Sequence, residues 1–91
     1  MSDVVNNEGK HRFEITIDGH TGFIQYAKAG SRIDLVHTEV PTELGGRGLG
    51  GQLAKAALDY ARDAHLQVVA SCPFVKTYIE RHREYEPLLH Q

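Results

Sequence analysis

The sequence is poor in the features that mark several large classes of protein. Its 91 residues contain no tryptophan and a single cysteine, Cys72, so an internal disulfide and a cysteine-based zinc cluster are excluded. The chain has ten basic and twelve acidic residues, so it lacks the excess of basic residues that is typical of proteins that bind nucleic acid or anionic membranes. No apolar run approaches the roughly 20 residues needed to span a bilayer. We therefore expect a cytoplasmic protein without a nucleic acid or membrane partner.

A chain of this length supports one hydrophobic core. A two-domain enzyme with its site in an interdomain cleft is thus excluded, and residues 1–91 are expected to form a single domain. The first ten residues are polar, and we expect them to be flexible.

The period of apolar residues predicts three strands followed by two helices with a strand between them. Alternation begins at Phe13, a turn at residues 18–20 leads to a second strand at 22–27, and a third runs from 32 to Val40. Short turns make these strands antiparallel. From Leu49 the period is helical, a strand follows at 66–71, and Pro73 to Arg83 predicts the second helix. The apolar face of the first helix is expected at seven positions: Leu49, Leu53, Ala56, Ala57, Tyr60, Ala61 and Ala64.

This order, β-β-β-α-β-α, predicts an α/β (α+β) fold with a mixed sheet. Antiparallel hairpins come first, and a crossover helix then makes the third and fourth predicted strands parallel.

Five glycines crowd the junction between the third strand and the first helix, at positions 45, 46, 48, 50 and 51. Glycine costs roughly 1 kcal/mol relative to alanine inside a helix, so this composition needs another reason. Bare amides at a helix N-terminus bind phosphate, and Arg47 can add a charged contact. The alternative is a flexible loop that needs positive φ at two or three positions.

Two familiar phosphate motifs do not account for the loop. Gly51 and Gln52 stand where a Walker loop needs Lys and Ser or Thr. Residues 46–51 satisfy the glycine spacing of a dinucleotide fingerprint, but hairpins precede them and no acid follows at the required distance.

The segment Arg47-Gly48-Leu49-Gly50-Gly51-Gln52-Leu53, after Val40-Pro41, resembles the acetyl-CoA motif of the GNAT superfamily of N-acetyltransferases, Q/R-x-x-G-x-G/A. Gly45 stands where that motif has Gln or Arg. The chain from about Phe13 to Leu89, including Ser71-Cys72-Pro73-Phe74-Val75, is similar to a group of very small GNAT-like acetyltransferases.

The resemblance implies that acetyl-CoA is the cofactor and that an amine is the acetyl acceptor. It implies a gap between the strands on either side of the first helix, where Val40 offers a backbone partner and an oxyanion donor. The implied cofactor-binding residues are Val40, Gly45, Gly46, Arg47, Gly48, Leu49, Gly50, Gly51, Cys72 and Phe74.

Cys72 precedes Pro73 and is expected to be the N-cap of the last helix, where the positive helix end lowers the pKa of a thiol. It either accepts the acetyl group, lines the thioester site, or is a small buried hydrophobe.

Three further residues are candidates for catalysis. Tyr78 lies where many GNAT enzymes carry the tyrosine that protonates the leaving thiolate, although it equally suits a core aromatic position. His37 and Glu39 share one side of their strand, and either is a candidate general base or an exposed edge charge. The other histidines, which show no metal-ligand spacing, are expected at the surface: His11, His20, His65, His82 and His90.

The acceptor side is expected to be open, because Asp18-Gly19-His20 joins two strands directly where typical GNAT enzymes insert helices. An open groove suits a protein lysine, a chain terminus or a polyamine. A non-catalytic acyl-CoA-binding or interaction module is the alternative, and a structural protein with an unused glycine loop is a more distant one. We expect a monomer or a weak dimer.

Overall fold

A computed structural model describes residues 4–45 and 48–89. Its strands are β1 (Val5–Asn7), β2 (Arg12–Ile17), β3 (His20–Ala29), β4 (Arg32–Glu39) and β5 (Gln67–Ala70), and its helices are α1 (Leu49–Asp63) and α2 (Pro73–Arg81). Short 3-10 helices occupy Glu8–Lys10, Thr42–Leu44 and Arg83–Leu88.

The five strands form one mixed sheet in the order β1-β2-β3-β4-β5. The first four pair antiparallel, and β4 pairs with β5 in parallel through the α1 crossover. The predicted mixed sheet is therefore confirmed.

The structure adds β1 to the predicted order and ends α2 earlier than expected. β1 is only three residues long. It is held in part by a contact with a distant segment, in which Tyr26 donates a hydrogen bond of 2.8 Å to Asn6. The predicted second helix stops at Arg81, since His82 adopts φ −129°, outside the helical region.

Tight turns set the hairpins. β2 and β3 are joined by Asp18 and Gly19 alone, with φ of 52° and 79°. Two consecutive positive φ values are typical of the two-residue hairpin turns whose twist matches the strands. No helix separates these two strands in the described chain, as the sequence predicted.

The core lies on one face of the sheet, under both helices. The largest fully buried side chains there include Ile15, Ile24, Ile33, Leu35 and Val68. Residues on the opposite face of the same strands are half-buried or exposed, which is the alternation of a sheet with one covered side.

The apolar face of α1 differs from the expected one. The buried residues are Leu49, Leu53, Ala54, Ala57, Leu58 and Ala61. The expectation at Ala64 was wrong, because α1 is rotated so that Ala54 and Leu58 face the sheet. Ala56 and Tyr60 are half-buried at the edge of this face, and Tyr60 still packs against the core. Alanine is compatible with either side of a helix, so the periodicity alone left this rotation open.

The C-terminal 3-10 helix lies against α1. Tyr85 is 3% exposed and donates a hydrogen bond of 2.7 Å to the Asp59 carboxylate, to which Lys55 also donates. Burial raises the pKa of Asp59, but the hydrogen bonds from Lys55 and Tyr85 outweigh it and lower the pKa overall. This network fixes the C-terminal 3-10 helix against α1.

Candidate active site

A cavity of about 580 Å³ opens between the end of β4 and the start of α1. Its size is in the range of small-molecule sites. The residues that line it are Thr38, Val40, Pro41, Thr42, Leu44, Gly45, Gly48, Leu49, Gly50, Gly51 and Phe74.

The cavity brings together most of the residues predicted to bind the cofactor. Seven of them are in its wall: Val40, Gly45, Gly48, Leu49, Gly50, Gly51 and Phe74. Gly46 and Arg47, with the predicted arginine contact, lie outside the described residues. Among the described residues, Cys72 is not one of those that form the wall.

The N-terminus of α1 contributes free backbone donors to the cavity. Gly48 is the N-cap with φ 69°, a left-handed conformation that suits glycine, and the Gln52 amide bonds its carbonyl over 3.2 Å. Leu49, Gly50 and Gly51 follow in the first turn, where amides have no acceptor within the helix. These amides and the helix dipole together favour an anion.

Gly50 has a different reason to be glycine. A Cβ built there would lie 2.8 Å from Cζ of Phe74, and its three nearest heavy atoms all belong to that ring. Phe74 is nevertheless 43% exposed, because its other side faces the cavity. The ring therefore bridges the first turns of α1 and α2.

A register shift in β4 decides which side chains reach the cavity. Tyr26 of β3 pairs with Leu35, but the preceding Gln25 pairs with His37, so the described pairing leaves Val36 as an extra residue. Such a bulge moves every later side chain to the other face. As a result Thr38, and not His37, continues the covered face of Leu35.

Thr38 is the site residue that sequence reasoning missed. It is half-buried, lines the cavity, and its Oγ1 lies 3.2 Å from Sγ of Cys72. Strict alternation from Ile33 and Leu35 gives no sign of it. The sequence Val36-His37-Thr38, with a histidine between two β-branched residues, does not indicate the bulge either.

Cys72 is the N-cap of α2, as predicted, and is 5% exposed. Its side chain makes no conventional capping hydrogen bond. Burial raises the pKa of the thiol, but the Thr38 hydroxyl and the amides of Val75 and Phe74 outweigh burial, so the pKa is below its ordinary value. The lowered pKa therefore belongs to a thiol that Thr38 separates from the cavity.

His37 and Glu39 lie on the uncovered face of the sheet. Their side chains are 56% and 63% exposed, and Nε2 of His37 is 3.8 Å from Oε1 of Glu39. Phe23, on the same face, has its ring centroid 6.2 Å from that of His37. The backbone of β4 separates both predicted base candidates from the cavity.

Tyr78 is half-buried beside the start of α1 and does not belong to the described cavity wall. Its ring stacks on His82, with centroids 4.0 Å apart, and burial raises its pKa. The same stacking corrects the expectation for His82, which is half-buried. His20 is also half-buried, His11 and His65 are exposed, and His90 lies outside the described residues.

Metal clusters and membrane-spanning helices are both absent from residues 4–45 and 48–89. No cluster of three or more His, Cys, Asp or Glu side chains is arranged to hold a metal ion there. In the same part of the chain, no helix combines the length and apolar character that crossing a membrane requires.

Comparison with known proteins identifies the family. The sequence model of the GCN5-related N-acetyl-transferase family matches residues 12–88. The chain therefore belongs to the GCN5-related N-acetyltransferase family, and it is an acyltransferase of that class. Enzymes of this family generally use acetyl-CoA and transfer its acetyl group to an amine.

Individual relatives are similar over most of their own length. The chain is 34% identical over 80 residues to Protein NATD1 of Mus musculus, an alignment that covers 85% of this chain and 73% of the mouse protein. It is 30% identical over 93 residues to Protein NATD1 of Danio rerio, covering 96% and 84%. The solution structure of a GCN5-like protein from Staphylococcus aureus superposes with a TM-score of 0.73 and 33% identity, covering 99% of this chain and 91% of that one.

Proposed function

We propose that this chain binds acetyl-CoA in the cavity between β4 and α1 and transfers the acetyl group to an amine on a protein or a polyamine. The observation that carries the proposal is the cavity of about 580 Å³, which joins the bare first turn of α1 to the end of β4.

The donor set fits the diphosphate of coenzyme A. The first turn of α1 supplies amides from Leu49, Gly50 and Gly51, and Gly48 keeps a side chain away from the approach. A diphosphate at this position interacts with the amides and with the positive end of a helix of 15 residues. Arg47 is the proposed charged contact, on the basis of its place in the loop.

The end of β4 suits the arm that carries the thioester. β4 pairs with β5 only as far as Leu35, so Val36–Glu39 have β3 on one side and no paired strand on the other in the described chain. An extended ligand can pair with such an edge as an added strand does. Val40, at the end of this edge and in the cavity wall, is the proposed backbone partner and oxyanion donor.

Bound acetyl-CoA supplies an activated acetyl thioester, and the chain must manage the charges and protons around it. Acyl transfer needs a deprotonated amine, a donor for the developing oxyanion and a proton for the departing thiolate. Glu39 or His37 is the proposed base, acting on an amine that approaches from the uncovered face. Tyr78 is retained as the proposed proton donor, and Cys72 is proposed to lie beside the acetyl end of the site.

The acceptor is proposed to be an amine that protrudes from a larger molecule or a flexible chain. Asp18 and Gly19 alone join β2 to β3, so nothing in that connection walls off the uncovered face. An open surface of this kind orients a small molecule poorly, whereas a lysine side chain, a chain terminus or a polyamine brings its own length.

Titration calorimetry with CoA, acetyl-CoA and pantetheine tests the cofactor. Pantetheine has the same arm without the phosphates, and we expect it to bind at least about 10-fold more weakly than CoA. Equal binding of CoA and pantetheine would contradict the proposed role of α1.

A matched pair of variants isolates the charge at the helix N-terminus. A Cβ at Gly51 would lie 3.7 Å from Tyr78, an ordinary contact, and the side chains of Gly51→Glu and Gly51→Gln have nearly the same shape. We expect Gly51→Glu to bind CoA about 10-fold more weakly than Gly51→Gln, because only the glutamate repels the diphosphate. Their affinities for pantetheine should be alike.

Transfer is tested with labelled acetyl-CoA and four acceptors: a lysine peptide, a peptide with a free N-terminus, spermidine and a small monoamine. The proposal expects label on a peptide or on spermidine. Slow acetylation of the monoamine, with no label on either peptide or on spermidine, would contradict the proposed acceptor class.

The second candidate function is a non-catalytic acyl-CoA-binding module. It is favoured by Gly45, where the family motif has Gln or Arg, and by the exposure of His37 and Glu39 away from the cavity. Single-turnover incubation of labelled acetyl-CoA with the wild type, Cys72→Ala and Glu39→Gln discriminates the two. Binding without transfer or hydrolysis in every protein would establish the module.

The cellular setting is part of the same proposal. A single free cysteine, Cys72, fits a reducing compartment, and we place the protein in the cytoplasm as a monomer or weak dimer. Fractionation and sedimentation of the full chain test the two statements.

A further inference from the structure

Thr38 stands between the cavity and Cys72. It lines the cavity wall, and its hydroxyl lies 3.2 Å from the sulfur of Cys72. Cys72 itself is 5% exposed and is absent from the described wall. A molecule that enters the cavity along β4 therefore meets the hydroxyl of Thr38 before it meets the thiol.

The β4 bulge fixes this arrangement. Because Val36 is the extra residue, Thr38 pairs with the buried Ile24 and faces the helices, while His37 and Glu39 face away. Of the three side chains between Val36 and Val40, Thr38 alone points into the cavity wall.

The chemistry of the pair leaves a donor for a ligand. A threonine hydroxyl has one proton and two acceptor sites, and a thiol is a weak donor. When the Cys72 thiol donates to Oγ1 of Thr38, the Thr38 proton is free to point at the cavity. A carbonyl oxygen in the cavity is then its natural acceptor.

We propose that Thr38, and not Cys72, contacts the acyl group of the thioester, by donating a hydrogen bond to its carbonyl oxygen. Cys72 acts behind it as a positioning residue that orients the hydroxyl. This inference rests on the proposed function, since it assigns a residue to the acyl end of that cofactor. It makes Thr38 a catalytic residue, because the oxygen it contacts gains negative charge during acyl transfer.

The test measures, for each protein, the affinity for acetyl-CoA divided by the affinity for CoA. The two ligands share the nucleotide and the arm, so a change in the binding of those parts leaves this ratio unaltered. Calorimetry is done on the wild type, Thr38→Val, Thr38→Ser and Cys72→Ala. Valine keeps the shape of threonine without the hydroxyl, and we expect it to lower the ratio by about 3- to 10-fold. Serine keeps the hydroxyl and should retain the ratio, and Cys72→Ala should lower it less than valine does.

A matched control lies on the other face of the sheet. Gln25→Ala removes an exposed side chain of β3 opposite His37, and it should leave the ratio unchanged. Circular dichroism of every variant checks that it is folded.

A second measurement needs no variant. In carbon-proton spectra of the wild type, exchanging CoA for acetyl-CoA should move the methyl resonance of Thr38. The methyl resonances of Val36, the extra residue of the bulge, which is 43% exposed and outside the described cavity wall, should stay in place.

The outcomes separate the inference from the function on which it rests. If CoA binds but Thr38→Val keeps the wild-type ratio and the Thr38 methyl does not move, the inference is overturned and the proposed cofactor stands. If Cys72→Ala lowers the affinity ratio of acetyl-CoA to CoA and Thr38→Val does not, Cys72 is the direct contact and the inference is again overturned. If neither CoA nor acetyl-CoA binds the wild type, the proposed function fails, and this assignment fails with it.

Discussion

The same strands form both faces of the sheet, and the two faces have different roles. The covered face holds the fully buried Ile24, Ile33 and Leu35 and, where β4 extends past β5, becomes the wall of the cavity. The uncovered face holds Phe23, with the guanidinium of Arg12 4.5 Å from its ring centroid, and the exposed His37 and Glu39. Stability is therefore expected to depend on one face, and acceptor binding on the other.

The comparison also shows how little separates the two roles. Neighbouring residues of a strand face opposite sides, and the extra residue at Val36 decides that Thr38 faces the cavity and Glu39 faces the solvent. A bulge can therefore place a core residue such as Leu35 and a cavity residue such as Thr38 on the same side of one strand.

The largest expected effect tests the covered face directly. Ile24→Ala should lower the free energy of unfolding by about 2–5 kcal/mol, because Ile24 is 0% exposed and its loss leaves a cavity. Gln25→Ala, one residue along the same strand and exposed, should change it by less than about 0.5 kcal/mol. Urea unfolding measures both, and similar losses would remove the distinction between the faces.

The helix layer on the covered face predicts a dependence on alkaline pH. Burial first, and then the hydrogen bond that Tyr85 donates to Asp59, raise the pKa of Tyr85 from 10.0 to about 12. Because the folded pKa is the higher one, its contribution is fully present below pH 10 and is lost as the pH rises towards 12. The loss expected from two pKa units is roughly 2–3 kcal/mol.

Tyr85→Phe is the variant that reports this effect. It should be less stable than the wild type near pH 7, because it leaves Asp59 without one donor. The difference between the two proteins should then shrink between pH 10 and 12, as the wild type alone loses the contribution of Tyr85. Urea unfolding at several pH values gives both curves, and a constant difference would exclude this role.

Much of the fold follows from local signals. The turn at Asp18 and Gly19, the helical period after Leu49 and the proline at the start of α2 each act within a few residues of where they stand. They predicted the mixed sheet, and the glycine junction predicted the location of the cavity wall. The resemblance carried by residues 47–53 and 71–75 led to the family.

The rest depended on contacts between distant segments. β1 is held by Asn6 and Tyr26, 20 residues apart, and the bulge at Val36 is a property of the pairing between β3 and β4. Without the bulge, Thr38 could not be distinguished from His37 as the residue that faces the cavity. Similarly, the sequence predicts that Gly50 leaves room for a ligand, but it gives no sign that the ring of Phe74 is also a neighbour of Gly50.

The two adjacent glycines of α1 give a smaller effect on the covered side. Gly51→Ala should stabilise the protein by up to about 1 kcal/mol, because alanine favours the helix and its Cβ would lie 3.7 Å from Tyr78. Gly50→Ala has the same helical gain but must displace the Phe74 ring, so it should be the less stable of the two by about 0.5–1 kcal/mol. The gap should close when both are made in a Phe74→Ala background, and urea unfolding of the four proteins measures it.

The smallest expected effect is on the uncovered face. Glu14 forms an ion pair with Arg12 and accepts a hydrogen bond of 3.1 Å from Asn7. The hydrogen bond from Asn7 lowers the pKa of Glu14, burial opposes it, and the bond from Arg12 lowers it further, so the pKa falls below 4.5 overall. Its contribution is therefore present above pH 4.5 and is lost as the pH falls through the lower folded pKa.

Glu14→Gln should lower the free energy of unfolding at pH 7 by about 0.5–1 kcal/mol, the usual size for a partly exposed pair. The difference from the wild type should shrink as the pH is lowered from 7 through the folded pKa of Glu14 and the carboxyl becomes protonated in both states. Urea unfolding over a series of acid pH values measures this, with Thr16→Ala, an exposed residue of the same strand, as the control. A loss above about 2 kcal/mol would mean that the pair is far less hydrated than the uncovered face allows, and that this face is covered in solution.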